Sequence, residues 1–265
     1  MTRRNFFIVY CVLAAMLAVS ATADAATITV TNGNDSGAGS LRQMIADAQA
    51  GDTILFQAGV TTVTLTTDQL VIDKNLTIDG GTGVTVQRSS AEGTPQFRIF
   101  YINSGIIVKI KYISITGGYT QDGASGTQEI PDGVNGSDGG GIYVNGSLTL
   151  EIAVVSDNQT GSGGYGYYYS EGGDGGKGGG IYVGTGGTLT LNDSVIKANT
   201  SGNGLKGYHG DGGNGGGIYV NDRASLTLNR SIVENNVAAD GSSASDTSLA
   251  LGSGGGGGIR IRLRV

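Results

Sequence analysis

The chain has 265 residues, 50 of them Gly, with 38% apolar and 14% charged residues, two Pro, one Cys, no Trp and a formal net charge of −6. Collagen is excluded, since it needs Gly at every third position throughout and abundant Pro, and disorder is excluded because apolar residues arrive in alternating triplets such as Leu148-Thr149-Leu150 that can bury a face. The acidic balance offers no general attraction to phosphate backbones or anionic lipid, so no nucleic acid is expected as a partner.

Residues 1–25 read as an export signal. Arg3 and Arg4 precede an apolar run from Phe6 to Val19, and the small residues ending Ala23-Asp24-Ala25 supply an A-x-A cleavage site. Thr2-Arg3-Arg4-Asn5-Phe6-Phe7 also fits a twin-arginine motif, whereas the strongly apolar run suits the general secretory route; both stay open. The run is short for a membrane span and no second long apolar segment follows, so the mature chain is expected to be exported without an integral membrane segment, whether to the cell surface, the medium or a periplasm. Cys11 lies inside the signal, so the mature protein is expected to have no disulfide, thiolate metal site or cysteine nucleophile.

Residues 26–53 read as an N-terminal cap. A strand at Thr27-Ile28-Thr29-Val30 is followed by Ser40 as N-cap, by Leu41, Met44, Ile45 and Ala48 at helical spacing, and by Gly51 as the stop. Strand triplets then occupy Ile54-Leu55-Phe56, Val63-Thr64-Leu65, Leu70-Val71-Ile72, Leu76-Thr77-Ile78 and Val84-Thr85-Val86.

The rest of the span 54–265 is governed by a repeat. Gly-Gly-Gly-Ile-Tyr-Val ends at Val144, Val183 and Val220, and Gly256-Gly257-Gly258-Ile259 begins another copy; the third Gly falls at 141, 180, 217 and 258, spacings of 39, 37 and 41. Each unit continues with Leu148-Thr149-Leu150, Leu189-Thr190-Leu191 or Leu226-Thr227-Leu228, then an apolar pair, then Asn158, Asn199 or Asn236. An earlier copy without the Gly run has Phe100-Tyr101-Ile102, Val108-Lys109-Ile110, Ser114-Ile115 and Gly118 in the Asn position. Three short strands and one Gly-rich loop per unit predict stacked coils that share a continuous apolar interior, an all-β, right-handed parallel β-helix with a short N-terminal capping helix. A propeller is the rival repeat; its period fits, but the three strands fill only half of each unit.

The series Gly39-Ser40-Leu41-Arg42-Gln43, Gly51-Asp52-Thr53-Ile54-Leu55-Phe56, Leu76-Thr77-Ile78-Asp79-Gly80, Ile113-Ser114-Ile115-Thr116-Gly117-Gly118 and the GGGIYV copies resembles bacterial exported β-helix proteins of the pectin-lyase-like superfamily. That group includes passengers of autotransporter-like and polymorphic outer-membrane proteins whose N-terminal segment reads C-S-L-R-E-A. The resemblance covers nearly the whole mature chain and implies a right-handed β-helix on or outside the cell, tied to adhesion or surface display. Gly39 stands in place of the motif's Cys, and Gln43-Met44 in place of Glu-Ala. No C-terminal membrane barrel follows, and Ile259-Arg260-Ile261-Arg262-Leu263-Arg264-Val265 replaces the usual Ile-Tyr-Val continuation. That tail reads either as a charged end strand that blocks stacking or, preferred here, as the end of a truncated passenger.

Candidate sites follow from this frame. Tyr101, Tyr143, Tyr182 and Tyr219 are expected to point away from the core in consecutive coils, and the long insertions, about residues 119–138, 160–177, 200–214 and 237–255, leave at the same corner carrying Tyr165, Tyr167, Tyr168, Tyr169 and Tyr208 among Gly and Ser. Tyr, Ser and Gly together suit adaptable recognition, so these tyrosines are the candidate ligand-binding residues for a glycan or a surface protein. The alternatives are a purely structural aromatic stack and a mobile, solvated loop set. Asn135, Asp174 and Asp211 form one column and Asp138, Lys177 and Asn214 another; they read first as a register-keeping ladder and second as a weak Ca²⁺ site at Asp174 and Asp211, with no cofactor otherwise expected. Asn158, Asn199 and Asn236 read as a structural amide ladder. No catalytic residue is assigned: His209 is the only His, and neither polygalacturonase-type nor pectate-lyase-type motifs occur. The expectation is a non-enzymatic exported surface or adhesion-type protein. A polysaccharide lyase or hydrolase and a passive spacer or surface-layer element are the alternatives, and the oligomeric state stays open.

Overall fold

A computed structural model describes residues 25–204 and 210–239, and the backbone of 259–261. In chain order its elements are β1 (Thr27–Val30), α1 (Leu41–Asp47), β2 (Thr53–Phe56), β3 (Thr62–Leu65), β4 (Leu70–Ile72), β5 (Leu76–Arg88), β6 (Phe100–Ile102) and β7 (Ile107–Thr116). The repeats then supply β8 (Ile142–Val144), β9 (Ser147–Glu151), β10 (Val154–Ser156), β11 (Ile181–Val183), β12 (Thr188–Asn192), β13 (Val195–Lys197), β14 (Ile218–Val220), β15 (Ser225–Asn229), β16 (Ile232–Glu234) and β17 (Ile259–Ile261). The export signal, Tyr208, His209 and the tail after Ile261 lie outside the described residues.

The architecture is all-β with a single helix among the described residues, and its strands pair in parallel with their own copies one repeat further on. One sheet runs β4-β6-β8-β11-β14-β17, and a larger one runs β1-β2-β5-β7-β10-β13-β16 with β9-β12-β15 branching from β7. The repeat spacing fixes the register: Leu148 pairs with Leu189 and Leu189 with Leu226, while Ile142, Ile181, Ile218 and Ile259 follow one another. Period-two alternation inside the triplets turns every second side chain inward, and Ile78, Ile110, Leu150 and Leu191 are wholly buried in one column. Such apolar burial contributes about 1.5–3 kcal/mol per large side chain.

Corners repeat as faithfully as strands. Tyr112, Ile152, Asp193 and Arg230 all adopt a left-handed φ of 54, 50, 48 and 49° at the turn that ends the Leu-Thr-Leu strand, and Asp157, Ala198 and Asn235 do so just before the Asn positions. In the early repeats two expected segments run on as one strand: β7 spans both Val108-Lys109-Ile110 and Ser114-Ile115, and β5 spans 76–78 and 84–86 with a register shift between Asp79 and Val84.

The N-terminal segment joins the sheet rather than standing apart from it. β1 pairs with β2 from Thr27↔Thr53 to Val30↔Phe56, and α1 packs beside β1 with Leu41 and Ile45 buried. Ser40 caps α1 by accepting the Gln43 N–H at 3.2 Å. Arg42 is spent on structure: its guanidinium meets Asp35 Oδ1 at 2.6 Å and donates to the carbonyls of Asp68 and Gln69. No described helix is long and apolar enough to cross a membrane.

Candidate functional site

Tyrosine occupies the centre of each Ile-Tyr-Val strand, and in-register pairing sets Tyr101, Tyr143, Tyr182 and Tyr219 in one column. Ring centroids are 5.1, 4.7 and 5.3 Å apart along it. The column exists as expected, but it is built into the wall. Tyr182 and Tyr219 keep 7% and 5% exposure, and Tyr101 and Tyr143 are half-buried. Stacking removes the ring faces from water, and cations cover more: the Arg98 guanidinium lies 5.5 and 5.2 Å from the Tyr101 and Tyr143 centroids, and the Lys177 ammonium 5.7 Å from that of Tyr219. Asn145 and Asn221 donate to the hydroxyls of Tyr101 and Tyr182 at 2.8 and 2.9 Å. Burial first, then the Asp138 charge, pushes the Tyr143 and Tyr182 phenols above their usual range.

The described parts of the insertions at this corner form a hydrogen-bonded layer. Outgoing limbs are joined coil to coil by bonds that recur every third residue: the N–H groups of Thr120, Gly123 and Gly126 donate to the carbonyls of Gln159, Ser162 and Tyr165. Returning limbs do the same, with Gly133, Gly136 and Gly139 donating to Glu171, Asp174 and Lys177. The two kinds of limb are laced together by Gly164 to Val134, Gly173 to Gly164, Gly176 to Gly161 and Gly202 to Gly176. A three-residue period with no bonds inside a limb is the signature of a polyproline-II-type path. Glycine is required because the limbs touch backbone to backbone: a Cβ on Gly161, Gly202 or Gly213 would strike the carbonyl oxygen of Gln121, Gly161 or Gly176.

Acidic and amide side chains finish this lattice. Asp132, Asn135 and Asp138 accept the backbone N–H groups of Glu171, Asp174 and Lys177 at 3.2, 2.7 and 2.7 Å, and Asp174 accepts that of Asp211 at 2.9 Å. These bonds link Asn135 to Asp174, Asp174 to Asp211 and Asp138 to Lys177 along the expected columns, and each runs from a main-chain N–H to a side-chain acceptor. Burial pushes the Asp138 carboxyl up, against the pull of the Lys177 N–H and the nearby Lys177 and Arg98 charges. Among the described residues no three His, Cys, Asp or Glu side chains converge as metal ligands would.

The amide ladder at the neighbouring turn is buried. Asn158 Nδ2 donates to Asn199 Oδ1 and Asn199 Nδ2 to Asn236 Oδ1, both at 2.9 Å, while the same oxygens accept the backbone N–H groups of Asn158 and Asn199. Where the first copy has Gly118, its N–H donates to Asn158 Oδ1, and a Cβ there would strike the Gly140 carbonyl.

Tyr165, Tyr167, Tyr168 and Tyr169 sit where the layer turns back, at 54%, 36%, 80% and 79% exposure, beside Ile130 at 71%. The two tips are tied together by Gly126 donating to Tyr165 and Tyr167 to Pro131. Tyr167 and Tyr168 rings meet edge to face at 4.8 Å, and Tyr168 is held at φ 55°, an uncommon state for a bulky residue. The candidate tyrosines thus divide into a covered column and an exposed tip. Arg98 escaped the sequence reading; its signal was that Phe97-Arg98-Ile99 occupies the positions that are Gly-Gly-Gly in the later copies. No family model, curated protein or solved structure matches this chain.

Proposed function

We propose that the protein is an exported, non-enzymatic, right-handed parallel β-helix of the surface-display or adhesion kind, with α1 closing its N-terminal end and the tyrosine tip presented to glycan or protein ligands. The export signal and the resemblance to autotransporter-type passengers support the location. The observation that carries the binding reading is the tip itself: Tyr165, Tyr167, Tyr168 and Tyr169 stand exposed on a layer whose backbone is hydrogen-bonded coil to coil. Tyrosine supplies contact area and a hydroxyl at low entropic cost, and a strained residue such as Tyr168 persists only where its surroundings hold it.

The test is retention of the mature chain on immobilised mucin-type glycans and on cell surfaces, with and without the double change Tyr168→Ser and Tyr169→Ser. A loss of about tenfold or more in affinity is expected for two central aromatic residues. Equal retention of the variant sinks the assignment of this tip.

A further inference from the structure

A polar furrow lies at the same corner, between the early repeats and the base of the first long insertion, residues 119–138. A cavity of about 140 Å³ is lined by side chains of three successive turns of chain, among them Asp68 and Gln69, Gln96 and Arg98, and Gln121 and Ser137. A second cavity of about 440 Å³ lies against α1, and Asp68 and Gln69 line both. In later copies the equivalent space is filled: a Cβ at Gly140, the position equivalent to Arg98, would strike the Gly179 carbonyl. The furrow is thus specific to one stretch of the molecule.

Its chemistry is that of amides and hydroxyls around a fixed guanidinium. Arg98 is held by donation to Gln69 Oε1 at 2.8 Å, to the Asp138 carbonyl at 3.1 Å and to the Gly139 carbonyl at 3.3 Å, with the Tyr101 and Tyr143 rings beneath it. These bonds use three of its five N–H donors. Hydrogen-bonding capacity is left over on Gln69 Nε2, on the exposed Gln121 amide and on the Ser137 hydroxyl, none of which is bonded among the described residues. Charge is balanced: Asp68 and Asp138 both act on Arg98, and Arg42 is paired with Asp35. Lys74, in the second cavity, lies 3.6 Å from the Asp73 carboxylate and donates to the Ile45 and Ala46 carbonyls, so a site that offers both donors and acceptors with each cation beside a carboxylate suits a ligand rich in hydroxyls and without charge.

We propose that this furrow binds a neutral oligosaccharide chain, with Gln69, Gln121, Ser137 and Arg98 as its polar contacts. The site is separate from the tyrosine tip and does not need it. The test is calorimetric titration of the mature chain with maltohexaose, cellohexaose and mannohexaose, and with an oligogalacturonate of equal length. At least one neutral chain should bind in preference to the acidic one. The double change Gln121→Ala and Ser137→Ala, at surface positions, should weaken it about tenfold with unchanged thermal unfolding, whereas Tyr168→Ser with Tyr169→Ser should leave it intact. Absence of binding by all three neutral chains, preference for the acidic chain, or a loss that follows only the tyrosine change would each overturn the furrow. The last of these outcomes would leave the tyrosine reading standing; retention on cell surfaces without any oligosaccharide binding would do the same.

Discussion

The parallel strand wall and the glycine layer follow the same sequence repeat, yet they are organised on opposite terms. In the wall, period-two alternation puts Ile, Leu and Val inside, and the main chain pairs across parallel strands. In the layer, period three puts main chain against main chain and leaves no room for a side chain between limbs. Ordering glycine carries the largest backbone entropy loss of any residue. Its return is a lattice in which limbs approach more closely than any side chain would permit. A rigid loop surface can therefore be made without an apolar interior, provided each donor finds a carbonyl in the neighbouring coil.

The largest expected effect is Asn199→Ala, at the seam between wall and layer. It leaves the buried Asn158 backbone N–H without a partner, at about 1–3 kcal/mol, and removes four further side-chain hydrogen bonds at about 0.5–1.5 kcal/mol each, while the Asn158 amide keeps the Ile115 and Ser156 carbonyls and Asn236 Oδ1 keeps the backbone N–H of residue 199. Urea unfolding should show this as a shifted midpoint, and Asn199→Asp should not recover it at pH 7, because its second oxygen would face the Val155, Lys197 and Asn236 acceptors in place of a donor. Next is Ile110→Ala within the wall, at about 2–5 kcal/mol from lost burial and a residual cavity. Gly202→Ala is expected to cost about 1–3 kcal/mol by overpacking. Amide exchange should sharpen the comparison: Gly163 and Gly213 lose protection in this variant while Leu150 and Leu191 keep theirs. Equal loss in both sets would mean that wall and layer unfold as one unit.

Two carboxylates give pH effects of opposite sign. Burial pushes Asp35 up, but hydrogen bonds from Thr67 and Arg42, the Arg42 charge and the Thr66 segment hold it below the usual range. Its contribution is complete above the unfolded value of about 3.9 and fades as pH falls through the lower folded one. Asp35→Asn should therefore cost stability at neutral pH and almost none in strong acid. Asp138 is raised, so its favourable contribution belongs to acid and is lost as pH rises through the folded value. Asp138→Asn keeps an acceptor for the Lys177 N–H and should raise the urea midpoint at pH 7 relative to pH 3. A fall at pH 7 would mean that the Arg98 and Lys177 charges outweigh burial. The smallest effect is Tyr168→Gly, which relieves a left-handed residue and should shift stability by at most about 1 kcal/mol.

Much of the wall was legible because its signals are local. The triplets around Thr149, Thr190 and Thr227, the N-cap at Ser40 and the amide ladder at Asn158, Asn199 and Asn236 all stand where alternation and spacing put them. The layer was harder to read. Its glycines at 123 and 126, at 133, 136 and 139, and at 161 and 164 keep a three-residue period, but only over short limbs interrupted by Tyr, Asp and Lys. The tyrosines show the same limit. Alternation places Tyr182 and Tyr219 away from the core, and nothing local says that neighbouring rings and Lys177 cover them.

The amino-acid order alone determined which residues recur at which spacing, and so the strands, their in-register columns and the corner from which every insertion leaves. Tertiary structure alone decided which of those residues meet water. Exposure depends on what the next repeat places overhead, which is why the column tyrosines are half-buried or buried while Tyr165, Tyr168 and Tyr169 of one loop are exposed, and why Arg98, Gln69 and Gln121, distant in sequence, share one furrow.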